Sequence, residues 1–164
     1  MRNWLLGSLL IFCMSATAPC FAAKRRAASS EKIGKIAETG IHWMPYREAL
    51  NKAQKEDKFV ALFFTGSDWC IWCMRMQEQI LTTAAFVDFA KQHLCMVEVD
   101  FPHNGQQSPE QKEQNRQLKN LYQVEGFPTL VLLDAQGREV AKLGFEYGGG
   151  EAYVHRLKKV LRLS

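Results

Sequence analysis

Cys70 and Cys73, in Trp69-Cys70-Ile71-Trp72-Cys73, carry the strongest chemical signal in this chain of 164 residues. Two thiols at that spacing lie one helical turn apart, where they can close into a disulfide and reopen, storing and releasing an electron pair. The chemistry asks for one accessible thiolate and a second thiol beneath it. The flanking elements supply both: the apolar run Phe59-Val60-Ala61-Leu62-Phe63-Phe64 reads as a strand, and Met74 to Ile80 reads as a helix. A strand that ends in a short polar turn and opens into a helix puts Cys70 at the helix N-terminus and Cys73 one turn further in. Unpaired backbone N–H groups and the positive end of the helix dipole favour thiolate there, so Cys70 is expected to attack disulfides while Cys73 waits below it.

Composition narrows the class. Hydrophobic residues make up 47% of the chain and charged residues 23%, which describes a globular protein long enough for one core. The net charge is +4, and removing residues 1–23 takes away only Arg2, leaving 20 basic against 17 acidic side chains, or +3. No basic stripe interleaved with aromatics is present, so a nucleic-acid partner is not expected. Of the five cysteines, Cys13 and Cys20 fall in the N-terminal apolar segment, and the odd remainder of Cys70, Cys73 and Cys95 excludes a fully paired disulfide framework within one mature chain. A zinc site needs about four ligands, and Cys95, His42, His93, His103 and His155 show no second paired spacing. No metal or organic cofactor is expected.

Along the chain, residues 1–23 read as a secretory signal, with Arg2 at the start, Trp4 to Ala18 as the apolar centre and Cys20-Phe21-Ala22-Ala23 as the cleavage region. As a helix, that centre would span about 22 Å, short of a hydrocarbon core of about 30 Å, which favours export with cleavage over an uncleaved membrane tether. Lys24-Arg25-Arg26, after the apolar run, argues in the opposite direction. Residues 24–40 read as a linker, and 41–164 as a single domain. Within it, Ile41-His42-Trp43 is a short strand candidate, Tyr46 to Glu56 a surface helix and Phe59 to Thr65 a strand buried on both faces. A helix capped by Thr82 or Thr83 leads to a strand from Leu94 to Asp100, and Phe101 to Pro109 is a loop. A polar helix with Leu118, Leu121 and Tyr122 as its apolar side follows. Strands at Thr129–Leu133 and Glu139–Leu143 flank the turn Asp134-Ala135-Gln136-Gly137, and Glu151 to Leu161 closes the chain as an amphipathic helix. Alternating units first and a hairpin with a helix last predict an α/β fold with a central mixed sheet.

Phe63-Phe64, Trp69-Cys70-Ile71-Trp72-Cys73 and Gly126-Phe127-Pro128-Thr129 before a strand and hairpin resemble the thioredoxin superfamily, and the element order matches over about residues 41–162. The resemblance implies the thioredoxin fold, a redox-active Cys70–Cys73 disulfide, and a cis proline at Pro128 beside it. It also implies that Phe127 offers backbone groups to an extended substrate in the manner of an added strand. Residues 66–73 with the export segment further resemble a periplasmic reductase branch of that family. This implies disulfide-bonded protein substrates, a membrane-bound electron donor, and a monomeric protein in an oxidising compartment.

Two departures stand out. Counting six residues back from Cys70, where thioredoxin carries a buried aspartate, gives Phe64, so Glu98 on the neighbouring strand is the best replacement proton acceptor by position, with a solvated strand glutamate as its plainer reading. The dipeptide Ile71-Trp72 is bulky and uncharged, so Cys70 lacks a basic neighbour within the motif and a reducing poise is expected. Trp69 and Trp72 read as an apolar rim for unfolded substrate, with domain packing as the alternative for Trp69. Asp68 reads as a turn or cap residue, or as a charge tuning Cys70, and Cys95 as a small buried hydrophobe. The segment 101–117 looks like an insertion that reads a partner, or a solvated loop and helix. A dithiol oxidase or isomerase, or a non-catalytic binding module with a permanent disulfide, would use the same residues.

Overall fold

The computed structural model describes residues 40–164; the expected signal segment and all but the last residue of the expected linker lie outside the described residues. Four strands form one mixed sheet in the order β2-β1-β3-β4. Strand β1 (Phe59–Thr65) pairs in parallel with β2 (Leu94–Asp100) and antiparallel with β3 (Thr129–Leu133), which forms a hairpin with β4 (Glu139–Leu143). The central position of β1 explains its unbroken apolar run: Val60, Leu62 and Phe64 enter one core layer, Ala61 and Phe63 the other. Fully burying a side chain as large as Phe contributes about 1.5–3 kcal/mol.

Helices cover both faces. On one lie α1 (Tyr46–Glu56), through Ala49 and Ala53, and α4 (Pro109–Leu121), through Leu118. On the other lie α2 (Ile71–Met76), α3 (Ala84–His93) and α5 (Gly149–Leu161). Helix α2 continues into one wide π turn over Gln77–Leu81, and Thr83 then caps α3 by accepting the Phe86 N–H. The architecture is the thioredoxin fold, with the central mixed sheet expected from the element order.

Two local expectations change. The candidate strand at Ile41-His42-Trp43 is reduced to a single parallel bridge between Trp43 and Met96, because the chain turns at Met44-Pro45 into α1 and Pro45 has no N–H to extend a ladder. Leu121, expected on the apolar side of α4, is exposed, while Asn115 is buried in its place. The Asn115 amide donates to the Asp100 carbonyl at 2.8 Å and accepts from Gln111 at 2.8 Å, so the polar group is fully used inside.

Candidate active site

Parallel pairing with β2 brings β1 to the end of the sheet at Thr65, where the turn Gly66–Trp69 leads to Cys70 as the residue preceding α2. Cys70 and Cys73 form a disulfide, with Cα atoms 5.2 Å apart. The Cys70 sulfur also accepts the backbone N–H of Cys73 at 3.2 Å, one of the donors that the first helical turn leaves unpaired. Cys70 is 6% exposed and Cys73 1%, so both are buried and Cys70 is the less enclosed of the two.

Aromatic side chains rise on both sides. Trp69, 43% exposed, stacks on His103 with ring centroids 4.8 Å apart and meets Phe127 at 6.0 Å; Phe127 in turn stacks on Phe101 at 5.1 Å. On the other side Trp72 contacts Phe145 at 5.5 Å, carries the Arg75 guanidinium 4.8 Å over its ring, and leads through Phe145 to the exposed Tyr147. The Phe127–Pro128 peptide bond is cis, and Pro128 is buried at the start of β3. Trp69 and Trp72, which flank Cys70 and Cys73 in the chain, thus belong to two separate aromatic clusters, Phe127 joining the one around Trp69. Phe145 and Tyr147 extend the Trp72 cluster, and nothing in their spacing marked them: they sit in a Gly-rich connection after β4, and only the hairpin folds that connection back.

The turn before Cys70 is pinned to the chain after β2. Ser67 donates from its N–H and hydroxyl to the Asp100 carboxylate at 2.9 and 2.6 Å, and Trp69 Nε1 donates to the Phe101 carbonyl at 2.8 Å. The Asp68 carboxylate accepts the N–H groups of Asn104 at 2.7 Å and His103 at 2.9 Å, which hold it below the usual carboxylate range, Asn104 first. Asp68 thus serves as a turn residue whose charge is spent on the backbone. Gly66 is buried beneath the Trp69 indole, where a Cβ would overlap the ring.

Glu98 pairs in register with Phe63, on the sheet face that carries the cysteines, but at the exposed edge of the sheet. It lies on the outer strand of the sheet with its side chain exposed, lining a groove with Trp43, Tyr46, Gln111 and Asn115, and partial desolvation, then the Asp100 charge, raises its carboxyl. Ala61 and Phe63 are the buried β1 residues that share a layer with Cys70 and Cys73, and Phe64, six residues before Cys70, enters the opposite layer. Cys95 is fully buried in the layer opposite the disulfide, where burial pushes its thiol pKa up. Among the described residues no cluster of three His, Cys, Asp or Glu is arranged to hold a metal ion, and no helix is long and apolar enough to cross a membrane.

A disulfide at the start of a helix and a cis proline just ahead of β3, on a mixed four-stranded sheet, define a thioredoxin-fold thiol–disulfide oxidoreductase. The sequence profile of the Thioredoxin-like domain matches residues 46–160. The chain is 47% identical to the disulfide bond reductase DsbH of Chlamydia pneumoniae over 99% of both chains, and 29% identical to the thioredoxin-related protein DsbJ of the same organism over 63% of this chain and 30% of DsbJ. Among solved structures, a DsbH oxidoreductase superposes with a TM-score of 0.74 at 46% identity, covering 90% of this chain and 96% of that one. A Thermus thermophilus thioredoxin superposes with a TM-score of 0.56 at 25% identity, covering 74% and 88%. The chain belongs to the thioredoxin-like family.

Proposed function

We propose that this protein is an exported disulfide reductase acting in the periplasm on disulfide-bonded proteins. The observation that carries the reading is the asymmetry of the pair: Cys70 precedes α2, is the less enclosed of the two and accepts a backbone N–H from the first turn, while Cys73 lies inside the helix and is almost wholly buried. Once the pair is reduced, the Cys70 thiolate attacks one sulfur of a substrate disulfide. A mixed disulfide forms as the substrate bond breaks, and the departing substrate sulfur takes a proton. Cys73 then loses its proton and attacks the Cys70 sulfur, releasing the second substrate thiol and closing the Cys70–Cys73 disulfide. Two electrons and two protons have passed to the substrate, and a dithiol donor at the membrane restores the pair. Trp69, Trp72, Phe127 and Pro128 line the approach, with Phe127 offering its backbone to an extended substrate segment. Glu98, paired in register with Phe63 on the sheet face that carries the cysteines, is the candidate acceptor for the Cys73 proton. The segment 1–23 directs export, and the similarity to DsbH supports the same compartment.

Equilibration of the pair against thiol buffers tests the direction. A potential near about −270 mV fits a reductase, and one near about −120 mV reverses the direction to an oxidase. Replacing Cys73 by Ser should trap a mixed disulfide through Cys70, and the same change at Cys70 should abolish exchange. A Cys73→Ser protein that traps nothing would overturn the roles given to the two thiols.

A further inference from the structure

The insertion after β2 builds a pocket against the redox turn. Trp69, Phe101 and Pro102 give it apolar walls, His103, Gln107 and Lys112 give it a polar side, and its volume is about 340 Å³. It is a constructed feature. Asn115 closes its floor from α4, itself 2% exposed, and with Gln107 it donates to the Asp100 carbonyl at 2.8 and 3.1 Å. Asp68 fastens His103 and Asn104, and the Trp69 indole is fixed by Phe101 and His103. The charge of the lining is one-sided. Lys112 is exposed and has no ion-pair partner among the described residues, and no carboxylate lines the pocket. The carboxylates of Asp68 and Asp100 are engaged by backbone N–H groups and Ser67, and that of Glu113, next to Lys112 in the chain, by Arg116.

The geometry points to a substrate subsite beside the disulfide that takes an acidic side chain of the polypeptide being reduced. Its methylenes would lie against Trp69 and Phe101, and its carboxylate would meet the Lys112 ammonium. Trp69 forms part of the pocket wall and is bonded directly to Cys70, so a chain whose cysteine engages Cys70 passes the pocket within a residue or two. In an extended segment, side chains two apart share a face, which places the acidic residue two positions from the reacting cysteine. This inference rests on the reductase reading and names its substrate preference.

The test compares two peptides, each held in an intermolecular disulfide and identical except for Glu or Lys at both positions two residues either side of the cysteine, with hydroxyethyl disulfide as a substrate too small to reach the pocket. At low salt the wild-type protein should show a kcat/KM for the Glu peptide roughly three- to five-fold above that for the Lys peptide, the size of one exposed ion pair, and the gap should close at about 0.5 M salt. Lys112→Glu should invert the preference, and Lys112→Arg should keep it. Equal rates for the two peptides, with hydroxyethyl disulfide still reduced, overturn the subsite alone. A Lys112→Glu protein that still prefers Glu does the same. Failure to reduce any of the three substrates overturns the reductase reading and the subsite together.

Discussion

The Asp68 carboxylate accepts the backbone N–H groups of His103 and Asn104 at 2.9 and 2.7 Å, tying the turn that presents Cys70 to a loop 35 residues further along the chain. A side chain two positions from a nucleophilic thiol is thereby occupied in holding the site's shape.

Because those N–H groups lower the Asp68 pKa in the folded state, its contribution to stability is present above the unfolded value of about 3.9 and is lost as pH falls through the lower folded value. Asp68→Ala should therefore lower the urea midpoint at pH 7 and narrow its gap to the wild type near pH 3. Denaturation curves at the two pH values check this; an undiminished gap at pH 3 would mean that the charge is not what holds the loop.

A methyl group at position 66 would collide with the Trp69 indole, which is itself hydrogen-bonded through Nε1 to Phe101. Gly66→Ala should cost about 1–3 kcal/mol, in the range of other overpacking changes, and should turn Trp69 outward. Thermal melts and a red shift of tryptophan emission report the two effects, and insulin reduction should slow as the aromatic wall is lost.

Asn115 is buried on an otherwise polar helix and donates to the last residue of β2. Asn115→Ala should destabilise the protein by about 1–3 kcal/mol by removing one of the two side-chain donors to the Asp100 carbonyl and the acceptor of the Gln111 amide. Amide exchange should rise in residues 101–108 before it rises in β1, which separates loosening of the insertion from global unfolding.

Cys95 lies on the sheet face away from the disulfide. Cys95→Ala should cost about 1 kcal/mol for the small void it leaves and leave the rate of thiol–disulfide exchange unchanged. In the native protein at pH 8 the Cys95 thiol should resist alkylation until denaturant is added, because burial raises its pKa and closes access. Peptide mapping after iodoacetamide treatment checks this.

The spacing of Cys70 and Cys73, the apolar run of β1 and the turn at Asp134–Gly137 were legible along the chain because each is a local pattern: a helical turn, a strand covered on both faces, a set of turn-forming residues. From these the thioredoxin-like order of elements and the redox pair follow without coordinates. The contacts of Phe145 and Tyr147 with Trp72, the burial of Asn115 instead of Leu121, and the place of Glu98 at an exposed edge depend on how distant segments meet. An edge strand exposes a residue that the same position on a central strand would bury. Local pattern determined which chemistry this chain carries; tertiary packing decided which side chains surround it.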